Sequence, residues 1–166
     1  WEYFLDTNGN VRWSDVGFTG YSHGAQTAAL IAVKQCIWRA VSRSGPRDNG
    51  CGTGAAGGDF DPNNPPYDPN CMGCISTWLN DTPASPMTAF YGFVGKGDGQ
   101  YGDIMFSMER LGFIGEPVNI STTDPGDSHR FYSDDGHSGF DGDQYNAALQ
   151  KAWGVPDENM AFAAGN

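Results

Sequence analysis

The hydrophobic residues of the chain fall into short blocks, and the spacing within each block predicts an element. "VGFTGY", Val16 to Tyr21, reads as a short buried strand, and from about Gln26 to Gln35 the residues Ala28, Ala29, Ile31 and Ala32 recur at helical spacing among strong helix formers. "IWRAVS", Ile37 to Ser42, predicts a second strand, which "RSGPRDNGCG" ends with glycine and proline. Strand, helix and strand in so few residues predict a right-handed βαβ crossover and a parallel sheet covered on its faces. "MTAFYGFV", Met87 to Val94, predicts a third strand, and Ile104, Met105, Met108 and Leu111 mark one side of a helix over Asp103–Leu111. "EPVNI" around Val118 predicts a short fourth strand, and Ala148, Leu149 and Ala152 the inner face of a last helix over Tyr145–Trp153. Residues 44–84 break this rhythm: rich in Gly, Pro, Asn and Asp and without apolar period, they predict a long irregular loop. The expected fold class is therefore α/β, one domain over residues 1–166 with a parallel sheet and flanking helices.

The first strand meets the first helix at "GYSHG", Gly20 to Gly24. A serine on a sharp strand-to-helix turn needs small neighbours on either side, because the backbone there packs closely, and G-x-S-x-G in this context is the pattern of a nucleophile elbow. Its hydroxyl needs a base, and the base needs an acid to orient it. The chain has three histidines. His23 adjoins Ser22, so its side chain is directed elsewhere, but its backbone N–H opens the helix, where a developing oxyanion is stabilised. His137, in the glycine-flanked "SDDGHSGFDGD", is the favoured base because catalytic groups ride loops above a rigid sheet. His129, in "DSHRFY", is the alternative, and both are expected to follow the last strand. For the acid, Asp98 just past the third strand is favoured; Asp103, with a competing role in the first turn of a helix, and Asp48 in "GPRD" are the alternatives. Trp78, Tyr91, Tyr101, Phe131 and Tyr132 lie near these loops and could line an apolar acyl site, with core filling the expected role of each.

Charge narrows the partners. Nine Lys and Arg against 20 Asp and Glu leave a formal charge of −11, which repels phosphate backbones and argues against nucleic acid. No run reaches the roughly 18 apolar residues of a membrane-crossing helix. Cys36, Cys51, Cys71 and Cys74, in a composition poor in lysine, suggest export to an oxidising compartment, extracellular or periplasmic. The Cys71–Cys74 pair lacks the second pair of a zinc ribbon and is read as part of a disulfide pinning the long loop; Cys36 is read as a buried thiol. "DFDPNNPPYDPN" offers Asp59, Asp61, Asn63 and Asp68 as oxygen ligands for calcium, yet Asn64 and Asn70 stand where an EF-hand needs Gly and Glu. Ordinary turns and no cofactor are expected there, with calcium as the alternative.

The order Ser22, Asp98, His137, with an elbow and parallel strands, resembles the α/β-hydrolase superfamily, whose triad runs Ser, Asp or Glu, His along the chain. More narrowly, "FLDTNGNVRWSDVGFTGYSHGAQTAALIA", "SRSGPRD", "STWLNDTPASPMTAFYGFVGKGD" and "GHSGF" are similar to a group of exported bacterial α/β-hydrolases; the likeness covers most of the chain except Thr53–Asn70. The resemblance implies a serine hydrolase acting on carboxylic esters, small or polymeric. In that superfamily the elbow follows the fifth strand, so it also implies that the chain is the C-terminal half of the fold, strands equivalent to 5–8, completed by an N-terminal piece that is separate or not included. The second oxyanion donor would belong to that piece. A non-catalytic binding or structural protein of the same fold is the alternative function.

Overall fold

Alternation of side chains along the strands sets the architecture. The structure, a computed structural model, describes residues 2–47, 76–137, 140 and 145–154. Its strands are β1 (Gly17–Tyr21), β2 (Arg39–Arg43), β3 (Phe90–Gly95), β4 (Val118–Asn119) and β5 (Arg130–Ser133). They form one sheet in the order β1-β2-β3-β5-β4, and every neighbouring pair is parallel. Ala40, Phe90 and Val94 face one side, where helices α1 (His23–Lys34) and α2 (Tyr101–Leu111) pack on them. Val41, Tyr91, Phe93 and Phe131 face the other, against Ala148 and Ala152 of α3 (Asn146–Trp153). Every residue of β3 is buried, as a central parallel strand with both faces covered must be. Each fully buried Phe there contributes about 1.5–3 kcal/mol of hydrophobic free energy.

The helices follow from their composition. Ala25, Ala28, Ala29 and Ala32 of α1 are all at most 2% exposed, and their small side chains let the helix lie close to β1 and β2. Ser42 of β2 donates its hydroxyl to the Ala25 carbonyl at 2.9 Å across that contact. α2 buries Ile104, Met105, Met108 and Leu111, the side expected for it, and ends at Gly112, whose left-handed φ of 81° closes the helix with N–H bonds to Glu109 and Met108 carbonyls.

The structure departs from the predicted elements in several places. α1 begins at His23 rather than near Gln26, because the chain turns directly from Ser22 into the helix. A fifth strand, β5, has no counterpart among the predicted elements; it lies between β3 and the Val118 strand, which among the described residues stands at the sheet edge. The end of the irregular loop is packed structure: Thr77–Asn80 is a 3-10 turn that buries Trp78 and Leu79. Cys36 is exposed, not a buried thiol, because it lies past the last turn of α1. Cys51, Cys71 and Cys74 lie outside the described residues.

Ahead of β1, Leu5 and Val11 form an antiparallel bridge around a turn in which Gly9 has φ +82°. The Asp6 carboxylate accepts the backbone N–H groups of Asn10 and Asn8 at 2.8 Å each, and these bonds hold its pKa below the usual carboxylate value. Among the described residues the large exposed hydrophobic side chains belong to this lead-in, to Tyr21 at the end of β1 or, as Trp38, to the approach to β2. Among the described residues β1 pairs on one side only, with β2. No helix among them is long and apolar enough to cross a membrane.

Candidate active site

All five strands being parallel, their C-terminal ends share one rim, and the segments leaving β1, β2, β3 and β5 meet there. Ser22 follows β1 directly. Its φ of 53° and ψ of −117° put a residue with a Cβ in a backbone conformation that such residues seldom adopt. Two bonds hold it: its N–H donates to the Arg43 carbonyl at 2.8 Å, and its own carbonyl accepts from Ala25 N–H at 3.0 Å. Gly20 is obligatory, since a Cβ there would stand 1.9 Å from the Gly24 carbonyl oxygen. Gly24 is different: a Cβ there would meet nothing within 4 Å, so the requirement for a small residue on both sides of the serine is corrected to one side.

Asp98 lies in the turn after β3, with its side chain only 4% exposed. One carboxylate oxygen accepts Gln100 N–H at 2.9 Å, and the other lies 2.5 Å from His137 Nδ1. On the far side of the ring, His137 Nε2 lies 3.1 Å from Ser22 Oγ. A carboxylate only accepts, so Nδ1 carries the proton and Nε2 presents a lone pair to the serine hydroxyl. Burial keeps the carboxylate away from water, while the imidazole, at 40% side-chain exposure, stays open to a reactant. The three side chains thus form one hydrogen-bonded line from a buried anion to a hydroxyl. Such a line can take a proton from Ser22 Oγ and hold the resulting imidazolium. His23 is the first residue of α1, so its backbone N–H is among those with no acceptor inside the helix.

The alternatives lie elsewhere. His129 precedes β5 instead of following the last strand, which puts it at the opposite end of the sheet from Ser22. There it is 7% exposed, Nδ1–H donates to the Phe90 carbonyl at 2.9 Å, and the ring stacks on Tyr91 at 3.9 Å. Burial pushes its pKa down, outweighing the Phe90 bond that pulls it up. Asp103 pairs with Arg47 at 2.9 Å. Asp48 and the acidic stretch 59–70 are outside the described residues. Among the described ones no group of three or more His, Cys, Asp or Glu could hold a metal ion. Trp78, Tyr91 and Phe131 are core residues, and Tyr101 and Tyr132 pack edge to face, partly buried against the same core. A cavity of about 310 Å³ lined by Ile120, Ser121, Asp124 and Ala148 lies off β4, at the other edge of the sheet from Ser22.

Two contacts at the site had no signal in the sequence. The His137 carbonyl accepts hydroxyls from Ser44, just past β2, and from Tyr21, the last residue of β1. A bond to a distant backbone oxygen leaves no local pattern, although Tyr21 is itself a member of the elbow pentapeptide.

No protein family, curated protein or solved structure matches the chain.

Proposed function

We propose that the protein is a serine hydrolase that cleaves carboxylic esters through an acyl-enzyme. The observation that supports this reading best is the line Asp98–His137–Ser22, with 2.5 and 3.1 Å between successive partners, ending on a serine of φ 53° at a strand-to-helix turn. In the proposed reaction Ser22 Oγ attacks the acyl carbon while His137 Nε2 takes its proton. Asp98 steadies the imidazolium, and the His23 N–H takes part of the oxyanion charge. His137 then protonates the leaving alcohol, and water, activated by the same imidazole, releases the acid and frees Ser22. Ester rather than amide follows the resemblance to α/β-hydrolases, since the relay alone serves either.

The reading extends to the open side of β1. Among the described residues the outer edge of β1 is unpaired, and Trp13, stacked on Phe18 of that strand, is 39% exposed; such an edge invites a further strand. We propose that a polypeptide completing the α/β-hydrolase fold seats there and carries the second oxyanion donor. The proposed setting is extracellular or periplasmic, in keeping with the four cysteines.

The test is covalent capture. A fluorophosphonate is expected to modify Ser22 and no other serine, and Ser22→Ala to abolish the adduct while leaving the fold intact. Folded wild-type protein that takes up no label would remove the proposal.

A further inference from the structure

The base is held by more than its ring. Ser44 Oγ donates to the His137 carbonyl at 2.5 Å and Tyr21 Oη donates to the same oxygen at 3.0 Å. What precedes His137 explains why such a grip matters. As far as Asp135 the segment is tied to the end of β3: Lys96 N–H donates to the Ser133 carbonyl at 2.7 Å, and Gly97 N–H to the Asp135 carbonyl at 2.8 Å. Gly95 allows this approach, because a Cβ there would stand 2.1 Å from the Gly136 carbonyl oxygen. Gly136 has no side chain to fix the chain by packing before the base. The two hydroxyls act on the next residue, the one that carries the imidazole.

Both donors are themselves well placed. Ser44 is 2% exposed, its φ of 52° lies in the region a side chain disfavours, and its N–H donates to the Phe93 carbonyl at 2.7 Å. Tyr21 is the residue before Ser22, and its ring centroid lies 5.2 Å from that of His137, tilted by 60°. One residue therefore touches the backbone of the base and is bonded to the nucleophile.

We infer that Tyr21 and Ser44 are positioning residues: their hydroxyls latch the His137 carbonyl and so keep the imidazole in line between Asp98 and Ser22. The inference rests on the serine hydrolase reading, in which His137 is the base. The carbonyl is then held at one end of the residue and Nδ1 at the other, so both the backbone and the ring of His137 are anchored. Displacements of about 1 Å in such a relay lower rates strongly.

The test uses the full chain in four forms: wild type, Tyr21→Phe, Ser44→Ala and the double variant. Two quantities are read. One is the rate at which a fluorophosphonate modifies Ser22, the Oγ–P bond forming as fluoride leaves. The other is the downfield proton resonance of the Nδ1–H that bridges His137 to Asp98. Each single loss of a hydroxyl is expected to slow modification about fivefold and the double loss about twenty-five-fold, as for ordinary hydrogen bonds acting independently. The downfield resonance should broaden in the singles and vanish in the double. Unchanged rates and an unchanged resonance in Tyr21→Phe and in the double variant would overturn the inference. If Ser44→Ala does not fold, Tyr21→Phe decides alone, since it keeps the ring and loses only an oxygen at a residue 42% exposed. If the wild type takes no label, the hydrolase reading fails, and the resonance still reports whether the hydroxyls hold the imidazole on Asp98.

Discussion

Ser22 adopts a backbone conformation that costs a side-chain-bearing residue on the order of 1–3 kcal/mol, and it is kept there by the Arg43 and Ala25 bonds. Its neighbour Gly20 shows how sharply one residue can be specified. Gly20→Ala forces a Cβ onto the Gly24 carbonyl and is expected to lower stability by roughly 1–3 kcal/mol or more, whereas Gly24→Ala, with open space before it, is expected to leave the melting temperature unchanged or raise it slightly. Thermal unfolding of the two variants checks this, and equal losses in both would mean that the elbow is packed differently. Gly20, Ser22 and Asp98 were legible in the sequence because each sits at a junction between recognisable elements. His137 was legible as a histidine in a glycine-flanked loop. The latch from Ser44 and Tyr21 was not, because those residues are 93 and 116 positions from the one they hold, and both bonds end on a backbone oxygen.

At the scale of elements, the segments that the hydrophobic pattern identified are those with enough residues for a period to build. β3 and α2 are the clearest cases, and the buried residues of α2 include each of the four expected. β5 has no pattern of its own in the sequence because only "RFYS" forms the strand, with Arg and Ser at its ends and a single fully buried apolar side chain, Phe131. Because β5 begins directly after it, His129 lies at the rim of the sheet opposite Ser22. That histidine has a consequence of its own for stability. Desolvation lowers its folded-state pKa, with Lys151 and Arg39 acting in the same direction against Asp127 and the Phe90 bond. Below the ordinary histidine value of about 6.5 the unfolded chain binds a proton that the folded one refuses, so stability falls as pH drops through that value toward the lowered one. The melting temperature should therefore decline between pH 7.5 and pH 5.5, and decline less in His129→Gln; identical slopes in the two proteins would show that His129 does not supply the effect.

For the molecule as a whole, the two edges of the sheet are unlike. Among the described residues β4 is a two-residue edge of the kind that discourages further pairing, whereas β1 is five residues long, ends on the exposed Tyr21 and has the exposed Trp13 stacked on its Phe18. That asymmetry motivates the proposed completing polypeptide. Native mass spectrometry of the protein isolated from its natural source is expected to give a mass above that of the 166-residue chain, and a well-folded monomer at the mass of this chain alone would count against the completion. The reactive line, by contrast, is assembled wholly from the described residues. Intact-mass analysis after fluorophosphonate treatment therefore tests the central claim most directly, run on wild type, Asp98→Asn and Asp103→Asn. The account predicts a single adduct mapped to Ser22, slowed by about 10³–10⁴-fold in Asp98→Asn, where the imidazole loses its orienting anion, and little changed in Asp103→Asn. A folded wild-type protein that stays unmodified, or one labelled as fast without the Asp98 carboxylate as with it, would contradict it.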